Sequence, residues 1–319
     1  MAERLRGILR AAGELSDDVL GPRTGARPVT FAADSRRLRK WEAWALVLGV
    51  YAAIFFRHAV YSVGVASGTP LAPSSTPDLE RIALHATYIL IAFFSVHVLL
   101  RMGALSSDQV GLGGVWDRER VALNVRVACF ASVAMALGVA LSTVIGAFMD
   151  RAEPRYPSQP LDSPLSWAAE LFTNAAAGFE EELPLVLVLV WALRSARYSW
   201  LVVCVVAAVL RVSFHLYYGW EAVGMFLWPV LIVLLYARTG AIWGIVAAHA
   251  WTNLFGTPAA YFRDAGDPLA VLFFAARAAP DIAAVFLALK AVKTAIRLAG
   301  EATPATTPPK GKENPTEGT

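Results

Sequence analysis

Three consecutive carboxylates, Glu180, Glu181 and Glu182, open the run LPLVLVLVW, which is apolar enough to lie inside a membrane. A buried carboxylate without a partner is costly, so such groups find cations or donors. Two further segments carry polar groups at helical spacing. LRVSFHLYYGW holds Arg211 and His215 four apart, and WGIVAAHAWTNLFG holds His249 and Asn253 four apart. Residues at that separation share a helix face. Brought together, these groups suit hydrolysis. A poorly solvated glutamate takes a proton from water. Neutral imidazoles bind a metal, or hold that water and later donate to the leaving group. Asn253 donates to the oxyanion of a tetrahedral intermediate. If Zn2+ takes part, the expected ligands are His215, His249 and Glu181, with one position open for water. Without metal, Glu181 is the base and the histidines are donors.

The three glutamates are not expected to act alike, because successive side chains on a helix point about 100° apart. Pro184 has no N–H for the Glu180 carbonyl, so a kink is expected there. Glu181 is read as the base and Glu182 as the acceptor of the Arg211 charge. Glu180 is read as capping the kink or facing a loop. His58, His85 and His97 sit in no paired motif and read as packing or hydrogen-bonding residues. Arg277 and Asp281, four apart around Pro280, read as a self-neutralising pair.

The elements that must position these groups are membrane helices. The 319 residues are 57% hydrophobic and 17% charged, with mean hydropathy +0.52. Apolar runs of roughly 18–25 residues recur, the length a helix needs to cross a bilayer. The expected class is all-α, a polytopic membrane protein with about eight transmembrane helices, at 41–66, 80–101, 121–148, 165–194, 198–218, 223–238, 240–258 and 268–293. A β-barrel would instead show short segments of alternating polarity. Residues 1–40 form a basic segment, read as a solvated tail or a helix resting on an anionic membrane surface. Residues 41–298 form the membrane domain, with a motif-bearing core at 165–258. Residues 299–319, rich in Pro and Thr, read as a disordered tail.

Net charge is +3, and its distribution is explained by membrane topology, with no nucleic-acid partner implied. Eight crossings put Arg36, Arg37, Arg39, Lys40, Arg101, Arg118, Arg120, Arg194, Arg197, Arg238, Lys290, Lys293 and Arg297 on one side. Arg81, Arg151, Arg155 and Arg263 lie opposite. By the positive-inside rule both termini are cytoplasmic. Cys129 and Cys204 fall in apolar runs and read as packing residues.

The order of the polar motifs, Glu-Glu, then His on the next span, then His-x-x-x-Asn two spans later, resembles the CPBP family. These are the CAAX-prenyl-protease and bacteriocin-processing, or Abi, membrane proteins. AGFEEELP is similar to the first family motif, FHLYYG to the second and HAWTNL to the third, over about residues 165–258. The resemblance implies an eight-helix intramembrane protease in which the first Glu of the pair, here Glu181, activates water, assisted by His215, His249 and Asn253. Two departures stand out. The family's first motif usually carries an Arg four residues beyond the second Glu, where this chain has Val186. Its second usually has an aromatic residue four before the His, where this chain has Arg211. Arg211 is therefore expected to replace the lost cation from across a helix interface.

The leading reading is a membrane endopeptidase acting on a peptide or protein at the bilayer. Its alternatives are a non-catalytic immunity or scaffold protein of the same fold and a proton-coupled transporter. Inverted repeats or paired broken helices would mark a transporter, and the sequence shows neither. Gly-, Ala- and Arg-rich usage resembles a high-GC bacterial source, which points to the bacterial cell membrane and to a peptide other than a prenylated one.

Overall fold

Every regular element among the described residues is helical. The computed structural model describes residues 28–30, 35–68, 76–114, 116–149 and 161–301, with side chains of the last helix to Thr294. Most of the basic N-terminal segment, Arg151, Arg155 and the tail from 302 onward lie outside the described residues.

The helices begin where the sequence supplies caps. Helix α1, Lys40–Ala66, starts where the Glu42 carboxylate accepts the Arg39 N–H at 2.7 Å. Helix α2 is Asp78–Gly103 and ends at Ala104 in the left-handed conformation. Asp117 caps α3, Arg118–Phe148, by accepting the Glu119 N–H. Ser163 caps α4, Pro164–Glu182, and Pro164 occupies its first turn. A π-helical turn, Leu183–Val188, runs on from α4 into α5, Leu189–Ser195. Then follow α6 (Trp200–Ser213), α7 (Glu221–Gly224), α8 (Leu227–Thr239), α9 (Ile242–Asp264) and α10 (Leu269–Glu301).

Successive spans run antiparallel, and their ends collect on two faces. On the first face, Arg36 N–H donates to Gly103 O, Leu38 N–H to Ser195 Oγ, and Trp44 Nε1 to Tyr198 OH. On the second, Arg81 of α2 pairs with Glu170 of α4 at 2.8 Å. Asn174 Nδ2 there donates to Glu170 Oε1, and Thr257 of α9 donates to Asn174 Oδ1. These bonds hold α2, α4 and α9 in register above the three glutamates.

Among the described residues, five stretches are long and apolar enough to cross a membrane: α1, α2, α3, the α7–α8 stretch Glu221–Thr239, and Leu269–Thr294 of α10. The other three expected spans differ for physical reasons. The α4–α5 rod carries three glutamates, α9 carries His249, Asn253 and a charged end, and α6 has only 14 residues. At 1.5 Å per residue α6 reaches about 21 Å, short of the roughly 30 Å apolar layer.

One expectation is corrected. Arg277 and Asp281 do not pair. The Arg277 stem lies along α9, its Cδ and Nε 3.6 Å from where a Cβ on Gly256 would sit. Asp281 Oδ1 is buried with no hydrogen-bond partner. The groove left by Gly256 draws the arginine sideways and defeats the i,i+4 geometry.

Candidate active site

The polar groups meet where α4 changes its winding. Pro184 cannot donate to the Glu180 carbonyl, and the chain answers with the π turn Leu183–Val188. Such widened turns mostly occur singly and often mark functional sites. All six of its residues are buried, so the carboxylates just before it are held by a rigid, close-packed rod.

Each glutamate finds a different set of partners. Glu180 and Glu182, two residues apart, face roughly opposite sides of α4. Glu180, 5% exposed, meets His85 of α2, whose Nδ1 lies 2.9 and 3.0 Å from the two carboxylate oxygens. It does not cap the Pro184 kink or face a loop, because its direction on α4 points it at α2. Glu182, fully buried, lies 2.6 Å from His249 Nδ1 of α9. Arg211 of α6 reaches in from the third side. Its Nη1 lies 2.9 Å from Glu181 Oε2 and 3.0 Å from Glu182 Oε1. Arg211 is itself 1% exposed and stacks over the Trp228 ring at 4.4 Å. The Trp228 ring in turn meets the His249 ring edge-on at 4.9 Å. Glu181 keeps the most access of the three, with 13% of its side chain exposed.

Close approach of α4 and α9 makes the Glu182–His249 contact possible. Gly178 sits at that crossing, where a Cβ would meet the Val246 carbonyl oxygen at 2.5 Å and the Ala250 nitrogen at 3.0 Å. The sequence AAAGFEEE thus places its one side-chain-free residue a turn before the carboxylates.

His215 follows the end of α6. Leu216–Tyr218 form a 3-10 turn, and Gly219 takes φ +64, which sends the chain back into α7. Non-helical backbone at membrane depth is tolerated only where protein or a polar cavity receives it. Here Tyr217 N–H donates to Ser62 Oγ, and Tyr51 OH bonds Ser213 Oγ, both across to α1. His215 Nδ1 lies 2.9 Å from the Arg211 carbonyl oxygen. A carbonyl only accepts, so Nδ1 carries the proton and Nε2 of a neutral ring keeps its lone pair. Tyr218 stacks parallel to that ring, 6.1 Å between centroids. Glu181 makes no hydrogen bond to His215, although the two interact electrostatically.

Asn253, one turn beyond His249, is half-buried and makes no hydrogen bond among the described residues. The expected zinc set of His215, His249 and Glu181 does not come together. No three His, Cys, Asp or Glu among the described residues are grouped to hold a metal ion. The Nδ1 contacts of His215 and His249 leave Nε2 of each ring available, while Glu181 is engaged by Arg211.

Two contributors escape motif spacing. His85 is legible in the sequence only as an ionisable residue in a span, at a distance from a third carboxylate that lacks a partner. Trp228, which bridges Arg211 and His249, has no spacing signal at all.

Residues 163–255 match the family model described as type II CAAX prenyl endopeptidase Rce1-like. No curated protein and no solved structure matches the chain. The matched segment runs from the Ser163 cap to two residues beyond Asn253, and so contains every carboxylate, histidine and arginine of the site except His85.

Proposed function

Starting from a segment that matches the CAAX-protease family, set in a multi-pass helical membrane protein, we propose that this chain is an endopeptidase that hydrolyses a peptide bond within the bilayer by glutamate-activated water. One observation carries the reading. Arg211 holds Glu181 and Glu182 side by side, with Glu182 locked to His249, so that three helices converge on the most accessible of the carboxylates.

Glu181 takes one proton from water as the water oxygen adds to the scissile carbonyl carbon. Asn253, free of other partners among the described residues, donates to the oxyanion so formed. The C–N bond then breaks, and the proton held by Glu181 passes to the leaving amine nitrogen. His215 offers Nε2 to orient the water. Arg211 and Glu182 position the base and His249. No step is assigned to a metal, because among the described residues no three His, Cys, Asp or Glu are grouped to hold one.

The basic ends of α1, α2, α3, α5 and α8 gather on one face, which supports cytoplasmic termini by the positive-inside rule. The substrate is a peptide or protein that reaches the site from the membrane. A Glu181→Gln variant in detergent or nanodiscs tests the reading. Cleavage of an isoprenylated CAAX-type peptide, or of a non-prenylated membrane peptide, should fall by about 10²–10⁴-fold with the melting temperature unchanged. Undiminished cleavage would remove Glu181 from the chemistry.

A further inference from the structure

The last turn of α4 is weakly held by its own backbone. Pro184 gives the Glu180 carbonyl no donor, and the winding changes at Leu183. Side chains pin that turn instead, and they do so from two flanks. On the α9 flank, His249 Nδ1 lies 2.6 Å from Glu182. On the α2 flank, His85 Nδ1 lies 2.9 and 3.0 Å from the two oxygens of Glu180. Glu180 and Glu182 stand about 200° apart around the helix, so the two imidazoles grip α4 from nearly opposite directions. Glu181 is the residue between the grips.

His85 is itself firmly placed. Its side chain is 14% exposed, and that of Glu180 is 7% exposed. Arg81 and His85, one turn apart on α2, both reach α4, at Glu170 and Glu180. The buried Tyr88 ring meets the His85 ring edge-on at 5.9 Å and steadies its plane. A carboxylate only accepts, so Nδ1 of His85 carries the proton. Neither His85 nor Glu180 has a part in the hydrolytic steps above, and His85 lies outside the matched segment 163–255. Burying such a pair brings little net stability, so its place beside the base has another reason.

We propose that His85 is a positioning residue: by holding Glu180 it fixes the rotation of α4 and so sets the direction of Glu181. The role of Glu181 as base rests on the protease reading above. With the His85 grip gone, the side-chain grips that remain on this turn are Arg211 on Glu181 and Glu182 and His249 on Glu182, all from the α6 and α9 side. The turn then rolls that way, carrying Glu181 further against Arg211 and Glu180 out of its socket. A misplacement of about 1 Å is enough to cost about 10²-fold in rate.

The full chain in phosphatidylcholine nanodiscs is read in two ways, one of which needs no activity. Dicyclohexylcarbodiimide, a lipid-soluble reagent for carboxyl groups, is reacted briefly, and the modified glutamates are located by mass spectrometry. In the wild type Glu181 should be modified and Glu180 spared. In His85→Ala, Glu180 should become reactive and modification of Glu181 should fall severalfold. His85→Asn, whose amide nitrogen falls near the place of Nδ1, should restore the wild-type pattern. The second readout is cleavage of a quenched-fluorescent peptide with an apolar, membrane-inserting segment. His85→Ala should lose about tenfold to 10²-fold in kcat with KM held, His85→Asn should recover most of it, and adding Glu180→Ala to His85→Ala should cost little more. If His85→Ala does not fold, the apolar double variant His85→Leu/Glu180→Leu leaves no charge unpaired and carries the same kinetic test. A merely structural pair would move the melting temperature without this split between kcat and KM or this rescue. Wild-type labelling of Glu181 and wild-type kcat in the folded variants overturn the proposal, as do fully additive losses. If the wild type cleaves no peptide while the labelling shifts as stated, the protease reading falls and the control of Glu181 by His85 stands.

Discussion

Arg211 Nη1 lies 2.9 Å from Glu181 Oε2, joining α6 to α4 at the depth where α4 gives way to the π turn. The same nitrogen is 3.0 Å from Glu182 Oε1. One guanidinium nitrogen thus serves two adjacent carboxylates, a position the family resemblance assigns to an arginine on the glutamates' own helix. Val186, which stands there instead, is 1% exposed and packed in the core. Against that resemblance, the cation here stands on the neighbouring helix, and a close-packed valine occupies the position of the family's arginine.

This coupling has a measurable size. Removing one partner of a buried ion pair typically costs about 3–5 kcal/mol, because the other charge is left uncompensated. Arg211→Met should therefore destabilise the protein by an amount of that order and abolish cleavage. Glu182→Gln should be costly too. The double variant should lose clearly less stability than the two single losses added, as a thermal-unfolding double-mutant cycle will read. Strict additivity would mean that Arg211 and Glu182 do not depend on one another.

Gly178 gives a packing test with its own control. A methyl group there runs into the Val246 carbonyl oxygen, which is backbone and cannot swing aside. Gly178→Ala should cost about 1–3 kcal/mol, the range for overpacking, and should weaken cleavage by spreading Glu182 from His249. At Gly49 in α1, a Cβ would find nothing within 4 Å. Gly49→Ala should be neutral or stabilising, by up to about 1 kcal/mol in helix propensity. Paired melting curves of the two variants decide the matter, and equal behaviour would dismiss close α4–α9 approach as the reason for Gly178.

Much of the site could be read from residue spacing, and its pairings could not. Apolar run length locates the helices, and the Glu-Glu, Arg-x-x-x-His and His-x-x-x-Asn spacings pick out Glu181, Glu182, Arg211, His215, His249 and Asn253. Which carboxylate meets which cation depends on how far α4 is rotated and on where α2, α6 and α9 lie around it. His85 and Glu180 are 95 residues apart in the chain, a separation that no local period encodes. The i,i+4 rule fails for Arg277 and Asp281 because Gly256, on another helix, offers the arginine a better groove. Local spacing shows which side chains share a helix face, and tertiary packing then chooses their partners.

Metal removal is the third test. Among the described residues no three His, Cys, Asp or Glu are grouped to hold a metal ion. Purified protein should retain cleavage after exhaustive treatment with a strong chelator, and zinc should be substoichiometric by elemental analysis. Activity lost on chelation and recovered with Zn2+ would show that the histidines regroup around a metal.

Pro184 supplies the last test, because the local winding depends on a single missing N–H. With proline at 184, the Glu180 carbonyl has no donor four residues on, and the turn Leu183–Val188 takes i→i+5 bonding. Restoring the N–H with Pro184→Ala makes ordinary α winding available. Relaxing the π turn would rotate α4 and α5 against each other by a large part of one residue's 100°. The downstream rod, wholly buried from Leu183 to Leu193, resists that rotation, so the misfit should fall on the three glutamates upstream. The expected outcome is at least a tenfold loss of kcat with the melting temperature unchanged or raised, since alanine favours helix by about 3 kcal/mol over proline. Wild-type kcat in Pro184→Ala, with the melting temperature equally unmoved, would show that the π turn is fixed by core packing and owes nothing to the proline.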